Sequence, residues 1–233
     1  MSALGRPLLL GHRGARGVRS IPENTIESFD RALADGCDGF EFDVRLTANG
    51  QAVICHDPHF ARLNIATVSA AQLPLLRLED VLSRYQQRAF LDIELKVSGL
   101  EKITVELLRR FPPARGYIVS SFLPEVLHAT RVEDKHAPLG LICEKQVELA
   151  CWRELPIQCV VAHRDLVGPS LIRELKEANL RILVWTVNRP TDMLHFRDLG
   201  VDGIISDHTS LLRTTMVPGG TGADVLDDSR RKH

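Results

Sequence analysis

The sequence predicts an α/β fold, a single (β/α)8 TIM barrel carrying a β-hairpin and a short insertion after its second strand. Three observations carry that prediction. The chain has 233 residues, close to the roughly 250 typical of one such barrel. Short apolar, β-rich runs alternate with amphipathic segments along the chain, the rhythm of strand–helix units around a parallel sheet. No G-x-G-x-x-G follows the first strand, which removes the main signature of an open, doubly wound sheet.

Apolar runs bounded by turn residues place strands at 8–11, 39–45, 89–96, 117–121, 139–143, 159–163, 181–188 and 203–206. The first helix is expected to open at Pro22-Glu23-Asn24-Thr25, since proline suits a first turn and an acidic residue complements the positive end of the helix dipole. Ile26, Phe29 and Leu33 give it an apolar face, and Gly36 ends it. Further helices are read at 78–85, 100–111, 124–132, 146–155, 169–178 and 190–199. One segment breaks the rhythm. Residues 51–56 are strand-like and joined to the second strand through Thr47-Ala48-Asn49-Gly50, and Asn-Gly between apolar runs is a strong hairpin signal. Folding back there brings His56 to the level of Asp43. Residues 58–76 then form a short connection of weak periodicity. The barrel is expected to span 1–212, and 213–233, with Gly219-Gly220 and Arg230-Arg231-Lys232, reads as a disordered tail.

Composition narrows the function. Hydrophobic residues at 44% and charged residues at 25% suit a globular core, and the net charge is −1. With no basic excess, a nucleic-acid partner is not expected. The five cysteines are scattered with no C-x-x-C pair, so free thiols in a reducing compartment are expected rather than a zinc cluster or disulfide framework. Residues 7–11 are too short an apolar stretch for a signal peptide. No run approaches the ~20 residues of a membrane span. A cytoplasmic protein without stable membrane insertion is the expectation; the oligomeric state stays open.

Barrels of this kind place their chemistry at the carboxyl ends of the strands. His12 and Arg13 follow strand one; Glu41 and Asp43 lie on strand two; His56 and Asp57 end the hairpin. Asp92, Glu94 and Lys96 lie on strand three, Trp185 and Asn188 on strand seven, and Asp207 follows strand eight. Residues two apart on a strand share a face, so Glu41 and Asp43 point together into the barrel, as do Glu94 and Lys96. Leu91, Ile93 and Leu95 then face the helices. Inward carboxylates are costly unless paired or bound to a cation. Three of them on adjacent strands, Glu41, Asp43 and Glu94, make a hard-oxygen site suited to Mg²⁺ or Ca²⁺. A buried ion-pair network with Arg13 and Lys96 is the competing explanation; the position at the strand ends favours the metal. Asp92, one layer deeper, is expected to have a structural hydrogen-bonding role. His12 and His56 converge on this acidic site as a candidate acid–base pair, with Asp57 available to orient His56. Trp185 is either core or an aromatic wall for substrate. Ser120 and Ser121 lack the G-x-S-x-G elbow of a serine hydrolase.

His12-Arg13-Gly14, Pro22-Glu23-Asn24-Thr25, Glu41-x-Asp43-Val44, His56-Asp57, Ile93-Glu94-Leu95-Lys96, Ser121-Phe122, Trp185-Thr186-Val187-Asn188 and Gly200-Val201-Asp202-Gly203-Ile204-Ile205-x-Asp207 occur in this order. Together they resemble the glycerophosphodiester phosphodiesterases over about residues 8–212. The resemblance implies a divalent cation, Mg²⁺ or Ca²⁺, on Glu41, Asp43 and Glu94, and acid–base roles for His12 and His56. It also implies phosphate contacts from Arg13 and Lys96. The implied reaction splits a small-molecule glycerophosphodiester into glycerol 3-phosphate and an alcohol. The chain departs from the family pattern at 58–76, where a larger insertion usually follows His-Asp. The sequence leaves open a lysophospholipase D-like activity on lipid head groups and a catalytically silent phosphodiester-binding barrel. It also leaves open which histidine is the acid and whether water or a glycerol hydroxyl attacks.

Overall fold

The structure is a computed structural model that describes residues 5–217. Its strands are β1 (Leu8–Gly11), β2 (Gly39–Leu46), β3 (Ala52–Ile54), β4 (His59–Phe60), β5 (Leu63–Asn64), β6 (Phe90–Leu95), β7 (Tyr117–Ser121), β8 (Leu139–Cys143), β9 (Cys159–His163), β10 (Arg181–Trp185) and β11 (Gly203–Ser206). The helices are α1 (Ile26–Ala34), α2 (Leu78–Tyr85), α3 (Glu101–Arg110), α4 (Pro124–Glu133), α5 (Gln146–Leu149), α6 (Pro169–Glu177), α7 (Pro190–Leu199) and α8 (Thr209–Met216). Parallel pairing runs β1-β2-β6-β7-β8-β9-β10-β11, and β11 pairs back onto β1 to close the barrel. Among the described residues the eight strands expected from sequence are all in this ring, and β3 hangs antiparallel on the upper end of β2 through Val44↔Ile54 and Leu46↔Ala52.

The period-two pattern sorts side chains between two cores. Leu91, Ile93 and Leu95 of β6 pack outward into the cluster between barrel and helices. Inside, Leu10, Phe90, Ile118, Ile142, Cys159, Val161, Leu183 and Ile205 form an apolar floor. Above that floor the inward positions become charged. Close strand approach requires Gly39, where a Cβ would stand 1.8 Å from the Phe90 carbonyl oxygen.

Several elements differ from the sequence reading. Residues 22–25 form a turn, and α1 starts at Ile26 with the Thr25 side chain capping the Ser28 N–H. Asn24 sits at φ +59°, left-handed backbone that cannot be a helical turn. The expected helix at 146–155 is α5 followed by a separate 3₁₀ turn at Trp152–Glu154. The seventh strand ends at Trp185 rather than 188. The insertion, despite its weak periodicity, is packed: β4 and β5 make a small hairpin, and Ile65, Ala70 and Leu73 bury against Val53. Helix α8 was not legible because its threonines are poor helix formers; tertiary burial of Leu212 and Met216 sustains it past residue 212. Residues 218–233, most of the expected tail, lie outside the described residues. The five cysteines are free, with Cys37, Cys143 and Cys159 buried and Cys55 and Cys151 half-buried. No helix among the described residues is long and apolar enough to cross a membrane.

Candidate active site

A cavity of about 250 Å³ opens at the carboxyl ends of the strands. The β2–β6 register sets Glu41 beside Asp92 and Asp43 beside Glu94. Oxygens of Glu41, Asp43 and Glu94 lie within 4.8 Å of one another, and all three residues are buried. Each also has one oxygen without a hydrogen-bond partner: Glu41 Oε1, Asp43 Oδ1 and Glu94 Oε1. Buried orphan acceptors are rare in folded proteins. Three carboxylates in one place, all offering hard oxygens, fit a divalent cation.

Two cations face this set without cancelling it. Lys96 Nζ stands 2.6 Å from Glu94 Oε1 and 3.4 Å from Asp43 Oδ1, an ion pair with each that offsets part of their charge. Arg13 Nε is 3.4 Å from Asp43 Oδ2, and its Nη1 donates to Glu23 Oε1 at 2.8 Å. Arg13 occupies left-handed backbone at φ +50°, and its N–H donates to Glu41 Oε2 at 2.9 Å. Strain of this kind is held in place by surrounding structure and clusters at functional sites.

The electrostatics record an uncompensated negative charge. Burial, then the charges of Asp43, Glu94 and Asp92, push Glu41 well above the usual carboxylate range. Burial and Asp43 raise Glu94 to about 7. Burial likewise raises Asp92 to about 7, against a 2.5 Å hydrogen bond that it accepts from Ser120. Asp92 has the structural hydrogen bond expected of it, although its Oδ2 is unpartnered. Asp43 behaves oppositely: burial alone would raise it, but Lys96, Arg13 and the Asn24 amide hold it below its ordinary value. Burial would lower Lys96, yet Glu94 and Asp43 keep it raised.

His12 and His56 both line the cavity. His12 Nδ1 lies 2.7 Å from Asp207 Oδ1, and its Nε2 is 4.0 Å from Glu41 Oε2. Burial would raise Asp207, but hydrogen bonds from His12 and Asn188, with Arg16 nearby, hold it well below the carboxylate range. An ionised carboxylate only accepts, so His12 Nδ1 carries a hydrogen and Nε2 is left for the cavity. His56 Nδ1 is paired with Asp57 Oδ1 at 2.8 Å, and Arg45 Nε donates to the His56 carbonyl at 2.8 Å. Burial lowers the His56 pKa despite the nearby Asp43. The hairpin sets this ring in place: the Cys55 N–H donates to the Asp43 carbonyl.

Trp185 also lines the cavity, its Nε1 donating to the Val161 carbonyl at 3.0 Å. All eight residues singled out in the sequence therefore gather here: Asp43 supports the cavity's lining, and the other seven border it or its carboxylates. Sequence reasoning gave no role in the site's contacts to Asp207, Glu23 and Asn24. Asn24 Nδ2 donates to Asp43 Oδ2 at 2.9 Å, and the signal available was an asparagine, the residue that best tolerates left-handed backbone. Asp207 is 195 positions from His12; barrel closure of the last strand on the first was the only pointer to that pair.

The sequence profile of the glycerophosphoryl diester phosphodiesterase family matches residues 12–103 and 92–211. A glycerophosphodiester phosphodiesterase of Caldanaerobacter subterraneus is 26% identical over 244 residues, covering 92% of this chain and 100% of the relative. A glycerophosphodiester phosphodiesterase structure from Parabacteroides distasonis superposes with a TM-score of 0.81 at 24% identity, over 91% of this chain and 97% of that one. A phosphodiesterase structure from Oleispira antarctica, in complex with the product sn-glycerol-3-phosphate, gives 0.78 at 23% identity over 90% and 96%. Both structures share the barrel fold with this chain.

Proposed function

We propose a function from one premise: the chain belongs to the glycerophosphoryl diester phosphodiesterase family. It is an enzyme of glycerophosphodiester hydrolysis. We infer that it releases glycerol 3-phosphate and an alcohol from a small-molecule diester, using a divalent cation, Mg²⁺ or Ca²⁺. The observation that carries this reading is the meeting of three crowded, buried carboxylates, with Glu41 Oε1 left without any partner, and two carboxylate-anchored histidines at one cavity.

Glu41, Asp43 and Glu94 would hold the cation, which supplies Lewis-acid stabilisation of charge on the non-bridging phosphate oxygens. Arg13 and Lys96 add positive charge to the same oxygens as the transition state forms. Each histidine has Nδ1 anchored to a carboxylate, leaving Nε2 to pass a proton. One ring deprotonates the attacking hydroxyl, and the other protonates the leaving alkoxide. Asp207 and Asp57 fix the tautomers. Trp185 borders the organic part of the substrate. The five free cysteines support a reducing, cytoplasmic setting.

The test is hydrolysis of glycerophosphocholine with Mg²⁺, with Ca²⁺ and after chelation, alongside lysophosphatidylcholine. Cation-dependent release of glycerol 3-phosphate is expected. Activity confined to the lysolipid would instead select a lysophospholipase D-like enzyme, and turnover that survives complete chelation would remove the cation from the reaction.

A further inference from the structure

The catalytic cavity lies at the carboxyl ends of the strands; a second cavity, of about 630 Å³, lies at their amino ends. Three adjacent strands border it: Pro7 precedes β1, Arg181 begins β10 and Asp202 precedes β11. The last turns of α6 and α7 add Lys176 and Arg197. With Arg6, the described lining holds four cations against one carboxylate, Asp202. That carboxylate is already engaged, since its Oδ2 accepts from the Ile182 N–H at 2.9 Å.

Architecture accounts for three of the four cations. Lys176 and Arg197 sit at helix C-termini, where a positive side chain complements the dipole, and Arg197 also pairs with Asp198 at 2.7 Å. Arg6 is held by both oxygens of Asp38, at 2.7 and 2.9 Å. Arg181 has no such explanation. Along β10 it alternates with Ile182, so it shares the inward face of Leu183, a member of the apolar floor. Arg181 is half-buried, yet among the described residues it has neither an ion pair nor a side-chain hydrogen bond. A partly buried, unpaired guanidinium among like charges is costly unless an anion joins it. Lys176 also lacks an ion pair among the described residues, and its Nζ lies against Gly200 on the cavity wall, 2.9 Å from where a Cβ would stand.

Two unpaired cations match the nearly double negative charge of a phosphate monoester at neutral pH, and the arginine fork suits its oxygens. A bare phosphate would leave most of the cavity unfilled, whereas its volume is in the range of small-molecule sites. Pro7, Leu180 and Val201 supply apolar wall. We propose that this cavity binds a small organic phosphate monoester, with Arg181 and Lys176 on the phosphate and the apolar wall against the organic part. The site is separate from the proposed reaction and stands whether or not that reaction does.

The test is calorimetric titration of AMP and of glucose 6-phosphate into the Mg²⁺-loaded protein, with adenosine and glucose as uncharged controls. Saturable binding of at least one ester, and of neither control, is expected. Arg181→Gln and Lys176→Gln should each weaken it on the order of 10-fold or more. Lys176 is exposed, so its variant keeps the test open should Arg181→Gln fail to fold. Lys96→Gln, at the catalytic end, should leave the binding unchanged. Binding lost in K96Q would place the phosphate in the catalytic cavity and overturn the proposal. So would binding that survives both R181Q and K176Q, an ester that binds no better than its control, or no saturable binding of either ester.

Discussion

Asn188, Asp207 and His12 form a short chain of side chains: Asn188 Nδ2 donates to Asp207 Oδ2 at 2.7 Å, and Asp207 Oδ1 accepts from His12 Nδ1 at 2.7 Å. Asn188 Oδ1 in turn accepts from the Ser206 hydroxyl and the Asp207 N–H, so the aspartate has little freedom to turn away. Asp207→Asn is expected to cut kcat by roughly 10²-fold or more, because an amide permits the wrong imidazole tautomer; steady-state kinetics with an unchanged thermal midpoint checks this. His12→Ala and His56→Ala are each expected to lower kcat by roughly 10²–10⁴-fold. A substrate with a p-nitrophenolate leaving group, which needs no acid, then assigns the roles. The variant that recovers most with that substrate lacks the acid. Should both variants keep near-normal turnover of glycerophosphocholine, the pair has no acid–base role.

At the scale of elements, the site depends on two pieces that hold β2 from either side. The turn at 22–25 delivers Asn24 to Asp43, and the β2–β3 hairpin delivers His56. Asn24→Ala removes a hydrogen bond to a buried carboxylate and places alanine at φ +59°. The expected cost is about 1–3 kcal/mol in a denaturant titration, with weaker cation binding by calorimetry. Gly39→Ala tests the packing of β2 on β6, since its Cβ would meet the Phe90 carbonyl at 1.8 Å. Backbone cannot rotate aside as a side chain does, so a loss of about 1–3 kcal/mol or more is expected. A variant as stable as the parent would show that the strands can part there without cost.

For the whole molecule, the acidic site is expected to make stability depend on pH and on a bound divalent cation together. Glu94 and Asp92 titrate near 7 in the folded, cation-free protein, above their unfolded values of about 4. The unfolded chain therefore releases those protons first, and stability falls as pH rises from about 5 through 7. Asp43, held low, acts in the opposite sense and loses its contribution only in acid. The chelated protein should show a lower thermal midpoint at pH 8 than at pH 5.5, and saturating Mg²⁺ or Ca²⁺ should raise the pH 8 value most, because a bound cation replaces the protons. A midpoint at pH 8 indifferent to both cations would remove the carboxylates as a binding site.

The barrel and most of the residues that line its cavity were legible in the sequence because both follow from local rules. Period-two alternation on β6 separates Leu91, Ile93 and Leu95 from Asp92 and Glu94 without any knowledge of neighbours. Asn49-Gly50 announces the hairpin that brings His56 round. Helix α8, the turn at 22–25 and the packed insertion were not legible. Their conformations are set by what they pack against rather than by their own propensities. By itself, the sequence determined which side chains face inward and at which end of each strand they lie, because strand periodicity is a property of the backbone alone. The tertiary structure decided which of them touch. Closing β11 onto β1 joins Asp207 to His12, and the ring of β7 to β10 sets Phe122 and His163 edge-on to Trp185. Such contacts depend on strand register and barrel closure, quantities fixed by packing over the whole ring.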